Sequence, residues 1–458
     1  MGVLTGILFH LLLHGLCDSH LSIGNQIIVP VPRKYDPSFL QGKAFFIHAG
    51  ETVPDFKAAL SVDTFDGKYL CELAVFLGEQ KVWNSGRFSH FYPTGSCVLE
   101  LLETGVLQLS DTSGRIGWRI GSYGQGVKML QLQRTGNLIL IDIENNTKWQ
   151  SFDFPADIIL WHQRLYAPAQ LTSFSANSAS YYSLQIRHDK IAMYLYSNSR
   201  NYSYWEFKPN KNRSISFAEL GSKGLKLFNS QYHKIAQVPT NGQEPIRFLA
   251  LSKTGNLRFY YYSPHSGKFE ASFQLLNSTC DLPLTCGPYG ICSSSSTCTC
   301  MGFSKWPKRV QSECDEAFSA GFCGSGDATK MVQLLGVTSV LRGIPQNVNV
   351  SKEECVSLCT EDCTCSAVLF SNSSNQQECF LYELVGGVKE VEKEIGMSYL
   401  VKVPKETNAN CGSCFSIRKL LLLLGGVVDG VAVVLIFGGL VFYFLKKKRG
   451  KDMTSENT

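Results

Sequence analysis

The number and spacing of the cysteines constrain the fold of this chain more than any other feature. Seventeen cysteines occur in 458 residues, and all but three of them follow residue 279. One of those three, Cys17, lies in a segment typical of a cleaved signal, so 16 remain (17 − 1), enough for eight pairs. Clustered cysteines at short spacings are typical of small modules stapled by disulfides in an oxidising compartment. We therefore predict an extracellular region built partly from such modules.

Zinc binding is the competing use of clustered cysteines. It usually relies on paired C-x-x-C hooks, and residues 280–379 contain none. We expect no metal site and no cofactor.

Two apolar segments bracket this region. Residues 3–16 are apolar and precede small residues, which predicts a signal peptide over residues 1–19. Residues 420–445 form the second apolar segment. Twenty-six residues at about 1.5 Å each give a helix of about 39 Å, which exceeds a hydrocarbon core of about 30 Å. This second segment is predicted to be a single transmembrane helix.

Five Lys or Arg follow the predicted span within six residues, and the positive-inside rule therefore places residues 446–458 in the cytoplasm. A buried core helix is the competing interpretation, which the length and the basic flank disfavour. We predict a single-pass, type I plasma-membrane protein with its N-terminal region outside. Residues 404–419 would form a stalk, and the cytoplasmic tail is too short to fold.

Asp429 lies near the centre of the predicted span, where an acidic residue costs about 2.5–3.5 kcal/mol on insertion scales. Gly426 and Gly430 are spaced so that another helix can approach closely. One hypothesis is that these three residues contact another membrane helix, in a signalling partner or a second copy of the chain. The alternative is a protonated aspartate tolerated in a lone helix.

N-glycosylation sequons occur only between the predicted signal and the predicted span. They begin at Asn145, Asn201, Asn212, Asn277, Asn349 and Asn372. The formal net charge of +5 is small for this length, and it indicates no nucleic-acid partner.

Short alternating runs of apolar and polar residues, separated by Gly, Asn and Ser, fill residues 25–275. This pattern predicts a mainly β fold. A weak repeat accompanies it, with Thr-Gly followed by a strand-like run at Thr104, Thr135 and Thr254. Each repeat predicts a tight turn, because glycine adopts positive φ without strain.

The second repeat carries a family resemblance. Its sequence TGNLILID, followed by WQSFDFPADIIL from Trp149, resembles the bulb-type lectin domain of plant S-domain receptor-like proteins. The resemblance implies a lectin β-prism over residues 25–165. It also implies a second, diverged β domain over residues 166–275, similar to the S-locus glycoprotein region.

The same resemblance defines a candidate carbohydrate site. In mannose-binding relatives the site reads Q-x-D-x-N-x-V-x-Y, and this chain retains Gln133 and Asn137. It has Thr135 in place of Asp and Ile141 in place of Tyr, so the ionic acceptor, worth about 1.5–3 kcal/mol in a hydrogen bond, is missing. Gln133 and Asn137 are therefore a degenerate site, and the competing interpretation makes them turn residues of the scaffold.

Residues 276–315 resemble an EGF-like module, on their six cysteines, a C-x-C step and the CGPYGIC sequence from Cys286. The resemblance implies the pairs Cys280–Cys292, Cys286–Cys298 and Cys300–Cys314. We interpret the module as a rigid spacer.

Residues 323–403 resemble a PAN/apple domain of the α+β class. Ser351 followed by Glu354 predicts the capped start of a helix, and Cys355 and Cys359 would share one face of it. The pairs expected for this domain are Cys355–Cys379 and Cys359–Cys365, which leaves Cys323 for Cys363.

Four further cysteines lie between the predicted signal and the predicted span but outside these two modules. Cys71 and Cys97 are expected to pair within the lectin domain. Cys411 and Cys414 form a C-x-x-C in the predicted stalk, and a redox motif, an intermolecular clamp and a local bridge all fit that spacing. We favour the local bridge, Cys411–Cys414.

Neither a kinase signature nor a hydrolase or nucleotide-binding motif occurs in the sequence, and we expect no catalysis. We predict a receptor-like surface glycoprotein without a kinase that binds a carbohydrate, glycoprotein or peptide outside the cell. It would act as a co-receptor or recognition protein, with S-domain receptor kinases or a second copy as membrane partners. An adhesive wall-contact glycoprotein and a decoy partner of receptor kinases are the alternatives.

Overall fold

The computed structural model describes most of residues 20–405. Within that range it leaves out residues 33, 37–38, 40, 51–52, 88, 175–179, 198–199, 210–212, 241, 243, 302–322, 324–328, 344–346, 374–375 and 392–395. The described part is mainly β with one α-helix, which confirms the predicted class. None of its helices is long and apolar enough to span a membrane. The predicted signal peptide, span and tail lie outside the described residues.

Three four-stranded sheets form the N-terminal unit. Its strands are β1 (His20–Ser22), β2 (Gln26–Pro30), β3 (Gln41–His48), β4 (Phe56–Phe65), β5 (Lys68–Leu77), β6 (Gln80–Asn84), β7 (Ser96–Leu101), β8 (Leu107–Asp111), β9 (Ile116–Arg119), β10 (Val127–Leu132), β11 (Leu138–Asp142) and β12 (Thr147–Gln150). Strands β3 to β6 make one sheet in chain order, whereas β2 joins β7 to β9 and β1 joins β10 to β12. A short 3₁₀ turn, Ser151–Asp153, follows β12.

The second unit also contains twelve strands in three sheets. They are β13 (Ile158–Leu160), β14 (Arg164–Tyr166), β15 (Ala169–Phe174), β16 (Tyr181–Ile186), β17 (Ile191–Ser197), β18 (Arg200–Phe207), β19 (Phe217–Gly221), β20 (Gly224–Phe228), β21 (Lys234–Pro239), β22 (Phe248–Leu251), β23 (Leu257–Ser263) and β24 (Lys268–Gln274). Because β13 and β14 pair with β22 and β19, this unit begins inside the range 25–165 predicted for the lectin domain.

The two units share one topology. In the second, β15 to β18 make a sheet in chain order, β14 joins β19 to β21, and β13 joins β22 to β24. This order repeats that of β1 to β12 strand for strand. The chain therefore contains a structural duplication, and the second β unit repeats the architecture of the first.

The repeated Thr-Gly turns fall at matching places in this architecture. Gly136 lies between β10 and β11, and Gly255 lies between β22 and β23, the equivalent pair of the second unit. Gly105, between β7 and β8, belongs to the same turn type. The φ angles of Gly136, Gly255 and Gly105 are 85°, 85° and 83° respectively. The prediction of tight turns with positive φ is confirmed.

A second turn also recurs in both units. Asp111, Asp142 and Asn229 each follow or end a strand and accept hydrogen bonds from the backbone N–H groups two and four residues later, at 2.8–3.2 Å. The residue three positions later has positive φ in every case: Gly114 (82°), Asn145 (65°) and Tyr232 (60°). The oxygen of a short polar side chain at the first position thus accepts the hydrogen bonds of two backbone N–H groups in the turn.

The core of the N-terminal unit lies between its three sheets. Each sheet contributes one tryptophan, Trp83, Trp118 and Trp149, with ring centroids 5.8–6.4 Å apart. The disulfide Cys71–Cys97 joins β5 to β7 and is fully buried. A covalent bridge and a shared aromatic centre therefore hold the sheets together.

The PAN region combines one helix with a five-stranded sheet. Its elements are β27 (Thr329–Leu334), β28 (Val337–Ser339), β29 (Asn347–Val348), α1 (Lys352–Glu361), β30 (Ala367–Ser373), β31 (Gln376–Tyr382), β32 (Val388–Glu390) and β33 (Met397–Pro404), and β25 (Gly290–Cys292) and β26 (Cys298–Cys300) precede them. Ser351 Oγ accepts a hydrogen bond from Glu354 N–H at 3.1 Å, which confirms the predicted cap. Cys355 and Cys359 are both fully buried against the sheet.

The region around Cys280–Cys300 differs from the predicted spacer. Strand β25 pairs in parallel with β32 of the PAN region, so both regions share one four-stranded sheet. Lys389 Nζ adds an ion pair to Asp281 Oδ1 at 2.7 Å. The cysteine-rich region is therefore part of the PAN body and does not separate it from the rest. Its identity as an EGF-like module stays a prediction.

The second β unit is also joined to the PAN region. Ser203 and Arg342 exchange two backbone hydrogen bonds of 2.7 Å. Arg200 Nε donates to Glu383 Oε1 at 2.7 Å, and the ring of Tyr202 packs on that of Tyr382. One hydrophobic core extends through both regions, so they form a single packed body.

Candidate carbohydrate-recognition sites

The structure places Asn137 inside the N-terminal unit. Its side chain is 5% exposed. Asn137 Nδ2 donates to Gln150 Oε1 at 2.8 Å, and Oδ1 accepts from Phe152 N–H at 3.2 Å and from Ser151 Oγ at 3.3 Å. Its amide thus fixes the segment after β12. These contacts favour the scaffold interpretation for Asn137.

Gln133 lies on the surface of the same turn. Two backbone hydrogen bonds of 2.9 Å close the turn: Gln133 N–H donates to Asn137 O, and Gly136 N–H donates to Gln133 O. The side chain is exposed and accepts a long hydrogen bond from Thr135 Oγ1. The two predicted site residues therefore do not point to a common ligand position.

The Thr254 repeat retains Asn and Tyr from the sugar motif but has no open site. Asn256 is 2% exposed, and it bonds the backbone of Leu276 through both ends of its amide. Tyr260 stacks on Phe248 with centroids 4.8 Å apart. Both aromatic rings pack against the core of the N-terminal unit. This position is therefore a contact between the two β units.

The outer face of the β10–β11 pair is also closed. Ile139 and Ile141, which replace the Val and Tyr of the motif, are each 4% exposed. A sugar bound there would lack both the acidic acceptor and the tyrosine hydroxyl. The motif-derived site is therefore degenerate in chemistry and in access.

A wide cleft lies where the two β units meet. It has a volume of about 670 Å³, and His48, Asp55, Arg134 and Arg247 are its charged or titratable lining residues. Arg134 comes from the β10–β11 turn of the N-terminal unit, and Arg247 precedes β22 of the second. Sequence reasoning missed this cleft because residues so far apart in the chain share no local pattern. The one available signal was a basic residue within the Gln133–Asn137 turn.

Charges inside the cleft are partly balanced. Asp55 Oδ1 lies 3.3 Å from Lys57 Nζ, and Asp55 Oδ2 lies 3.7 Å from His48 Nδ1. Within the described part of the chain, the guanidinium groups of Arg134 and Arg247 make no hydrogen bond or ion pair. Among the described residues, these two positive charges of the cleft therefore have no partner.

A second charged cluster lies on the outer face of the β3–β6 sheet. Lys81 Nζ contacts Asp63 Oδ2 at 2.5 Å and Glu72 Oε2 at 2.8 Å. Burial lowers the pKa of Lys81, but the charges of Glu72 and Asp63 outweigh it and leave the pKa above its ordinary value. The three charged side chains of this cluster therefore pair with one another. Over the described ranges, no group of His, Cys, Asp and Glu is arranged to hold a metal ion.

The predicted glycosylation sites lie at the surface wherever the structure describes them. Asn145, Asn201, Asn277, Asn349 and Asn372 are all exposed. Asn212 lies outside the described residues. None of the five lines the cleft.

Six of the eight predicted disulfides are formed in the structure. They are Cys71–Cys97, Cys280–Cys292, Cys286–Cys298, Cys323–Cys363, Cys355–Cys379 and Cys359–Cys365. Cys300 is disulfide-bonded as well, and its predicted partner Cys314 lies outside the described residues. Cys411 and Cys414 also lie outside the described residues.

Three family models match this chain. They describe the D-mannose binding lectin over residues 81–181, the S-locus glycoprotein domain over residues 222–306 and the PAN domain over residues 331–402. The chain therefore carries lectin, S-locus glycoprotein and PAN domains, and its relatives include plant G-type lectin S-receptor-like kinases. The S-locus match begins within the second β unit and extends into the cysteine-rich region.

Curated relatives align with much of this chain. A G-type lectin S-receptor-like serine/threonine-protein kinase of Arabidopsis thaliana is 25% identical over 326 residues, which are 67% of this chain and 38% of the kinase. A PAN domain-containing protein of the same plant is 27% identical over 299 residues, 60% of this chain and 58% of the relative. The chain thus spans less than two thirds of the length of these relatives.

Among solved structures, a monomeric monocot mannose-binding lectin from Gastrodia elata aligns over 29% of this chain and 96% of its own length. The identity is 20% and the TM-score is 0.20. So low a score adds nothing to the topology described above.

Proposed function

We propose that this protein is a receptor-like surface glycoprotein that recognises carbohydrate outside the cell. The observation that carries the proposal is the combination of lectin, S-locus glycoprotein and PAN domains in one chain. Lectin modules present surface loops on a rigid β scaffold, and binding residues concentrate on such loops. The open cleft between the two β units provides a concave surface of the size used by small ligands.

The degenerate motif does not carry this function. Asn137 is committed to the scaffold, and Asn256 and Tyr260 lie in buried contacts. Recognition at another surface is consistent with both facts. The ligand class proposed here is a carbohydrate, free or on a glycoprotein, with a peptide as the alternative that the experiment below distinguishes.

The proposal places the protein in the plasma membrane as a single-pass, type I, non-enzymatic co-receptor. Its support is the apolar segment 420–445 with its basic flank. A receptor kinase is the proposed membrane partner, because one curated relative is named as such a kinase. A second curated relative is named for its PAN domain and not for a kinase.

A glycan and peptide array tests the recognition function. The full-length chain is applied in native form, and the same chain after reduction and heat unfolding is the matched control. We expect saturable binding to at least one class of glycans that is lost in the control. Binding to peptides alone, or to no glycan, contradicts the proposal.

Proximity labelling from residues 446–458 tests the membrane role. Receptor kinases among the labelled neighbours support a co-receptor. Labelling of kinases together with a rise in their signalling on removal of this protein indicates a decoy. Labelling of wall components without kinases indicates adhesion, and both of these outcomes overturn the co-receptor role.

A further inference from the structure

The cleft between the two β units has the properties of a built ligand site. Two backbone segments of the N-terminal unit, residues 48–50 and 54–56, form one wall. Arg134 extends from the neighbouring turn, and Arg247 enters from the second unit. Its volume of about 670 Å³ lies within the range of about 300–1,000 Å³ typical of small-molecule sites. Both domains are therefore needed to complete it.

Its electrostatics point to an anion. Asp55 is the only acidic side chain that lines the cleft among the described residues, and Lys57 and His48 already face its two carboxylate oxygens. Arg134 and Arg247 add two guanidinium groups that no other group of the described structure contacts by hydrogen bond or ion pair. A planar guanidinium binds a carboxylate through two parallel hydrogen bonds, and lysine does not match this geometry.

The rigidity of the setting favours specific binding. Gly136, two residues from Arg134, has no room for a side chain, because an added Cβ would lie 2.4 Å from Phe56 and 2.8 Å from Leu160. Arg247 is held from both sides by backbone hydrogen bonds, donating to Tyr260 O at 2.8 Å and accepting from Trp161 N–H at 2.9 Å. The two arginines thus extend from fixed backbone positions, which lowers the entropic cost of binding.

We propose that this cleft binds an acidic saccharide, with Arg134 and Arg247 holding the carboxylate groups of uronic acid residues. The inference rests on the proposed carbohydrate function and names its ligand class. Most peptide-recognition modes use an open sheet edge or an apolar or aromatic groove, whereas acidic peptides bind to arginine clusters, so an acidic peptide is the competitor in the experiment below. The aromatic side chain at the cleft wall, Phe56, is only 8% exposed and packs into the core.

Calorimetric titration of the full-length chain with an oligomer of galacturonic acid tests the inference. We expect Arg134→Gln and Arg247→Gln each to weaken binding by about tenfold or more, since each removes one charge-assisted contact. Arg119→Gln, an exposed arginine on β9 that does not line the cleft, is the matched control and should bind like the wild type. Thermal unfolding of all variants verifies that the fold is intact.

Two further ligands test whether binding requires both the carboxylate charge and the sugar rings. The methyl-esterified oligomer has the same sugar rings without the carboxylate charge, and we expect it to bind at least about tenfold more weakly. A poly-glutamate peptide of equal charge should not compete. Equal binding of the methyl ester, competition by the peptide, or full binding by the double variant Arg134→Gln/Arg247→Gln overturns the inference.

The two proposals fail in different ways. If neutral glycans bind and the galacturonic acid oligomer does not, the cleft inference fails and the lectin function stands. If no glycan of any charge binds, both fail.

Discussion

At the scale of single residues, polar side chains that resemble a binding motif are used here to build the scaffold. Asn137 and Asn256 hold equivalent positions in the two β units, and each fixes the chain segment that follows its sheet. The sequence pattern singled out this motif position but left open whether its asparagine binds a sugar or supports the scaffold. The direction of the side chain decides between the two roles, and that direction depends on partners 13 to 20 residues away in the chain.

Replacement of Asn137 tests its structural role. Asn137→Ala leaves the Phe152 N–H without its acceptor, and we expect the free energy of unfolding to fall by about 1–3 kcal/mol. Gln133→Ala is the matched control on the exposed side of the same turn, with an expected change within about 0.5 kcal/mol. Urea unfolding measures both. If Asn137→Ala keeps full stability while glycan binding disappears, Asn137 belongs to a sugar site.

Asp111 makes the stability of the N-terminal unit depend on pH. Burial raises its pKa, but hydrogen bonds from Ser113 and Thr94 outweigh this and hold the pKa well below its ordinary value. A carboxylate with a depressed pKa stabilises the fold above its unfolded-state pKa, about 3.9, and this contribution is lost as the pH falls through the folded value. The advantage of the wild type over Asp111→Asn should therefore be constant near neutral pH and shrink in acid. Unfolding curves measured from neutral pH down to about one unit below that unfolded-state pKa follow it, and an advantage that grows in acid contradicts the assignment.

At the scale of elements, local chemistry was predictable and long-range pairing was not. The Thr-Gly turns and the helix cap at Ser351 follow from residues only a few positions apart. The parallel pairing of β25 with β32 joins Ile291 to Val388, and no periodic pattern encodes it. The duplication of the twelve-strand unit was missed for a related reason, because only one turn of the second unit kept a recognisable sequence.

A comparison of two glycines tests the packing of the repeated turn. Gly136 and Gly114 both have positive φ, 85° and 82°. An added Cβ at Gly136 would meet Phe56 and Leu160, whereas at Gly114 it would meet nothing within 4 Å. We expect Gly114→Ala to cost about 1–2 kcal/mol from backbone strain and Gly136→Ala about 2–5 kcal/mol, because overpacking is added. Equal losses in thermal unfolding would show that the close approach is not maintained.

The predicted membrane helix allows one test from the sequence alone. If Asp429 and the Gly426–Gly430 face contact another helix, Asp429→Leu should reduce co-precipitation of the membrane partner and dimer formation in membranes. Leu435→Ile, an apolar exchange in the same segment, is the matched control and should leave both readouts unchanged. Unaltered association of the Asp429→Leu protein supports a lone helix.

At the scale of the whole molecule, two β units of one topology precede a PAN body, and the cysteine-rich region shares a sheet with that body. The sequence predicted the lectin, S-locus glycoprotein and PAN domains and most of the disulfides, because cysteine spacing and lectin motifs are local signals. It did not predict the interdomain cleft, since Arg134 and Arg247 meet only after both units have folded and docked. The candidate binding surface is thus a property of the duplication.

The central proposal is that the folded chain recognises carbohydrate. Calorimetric titration of the full-length protein with the tightest glycan from the array tests it most directly. We predict saturable binding that Gln133→Ala leaves intact and that reduction with heat unfolding abolishes. Absence of saturable heat for every glycan tested, or unchanged binding by the unfolded chain, would contradict it.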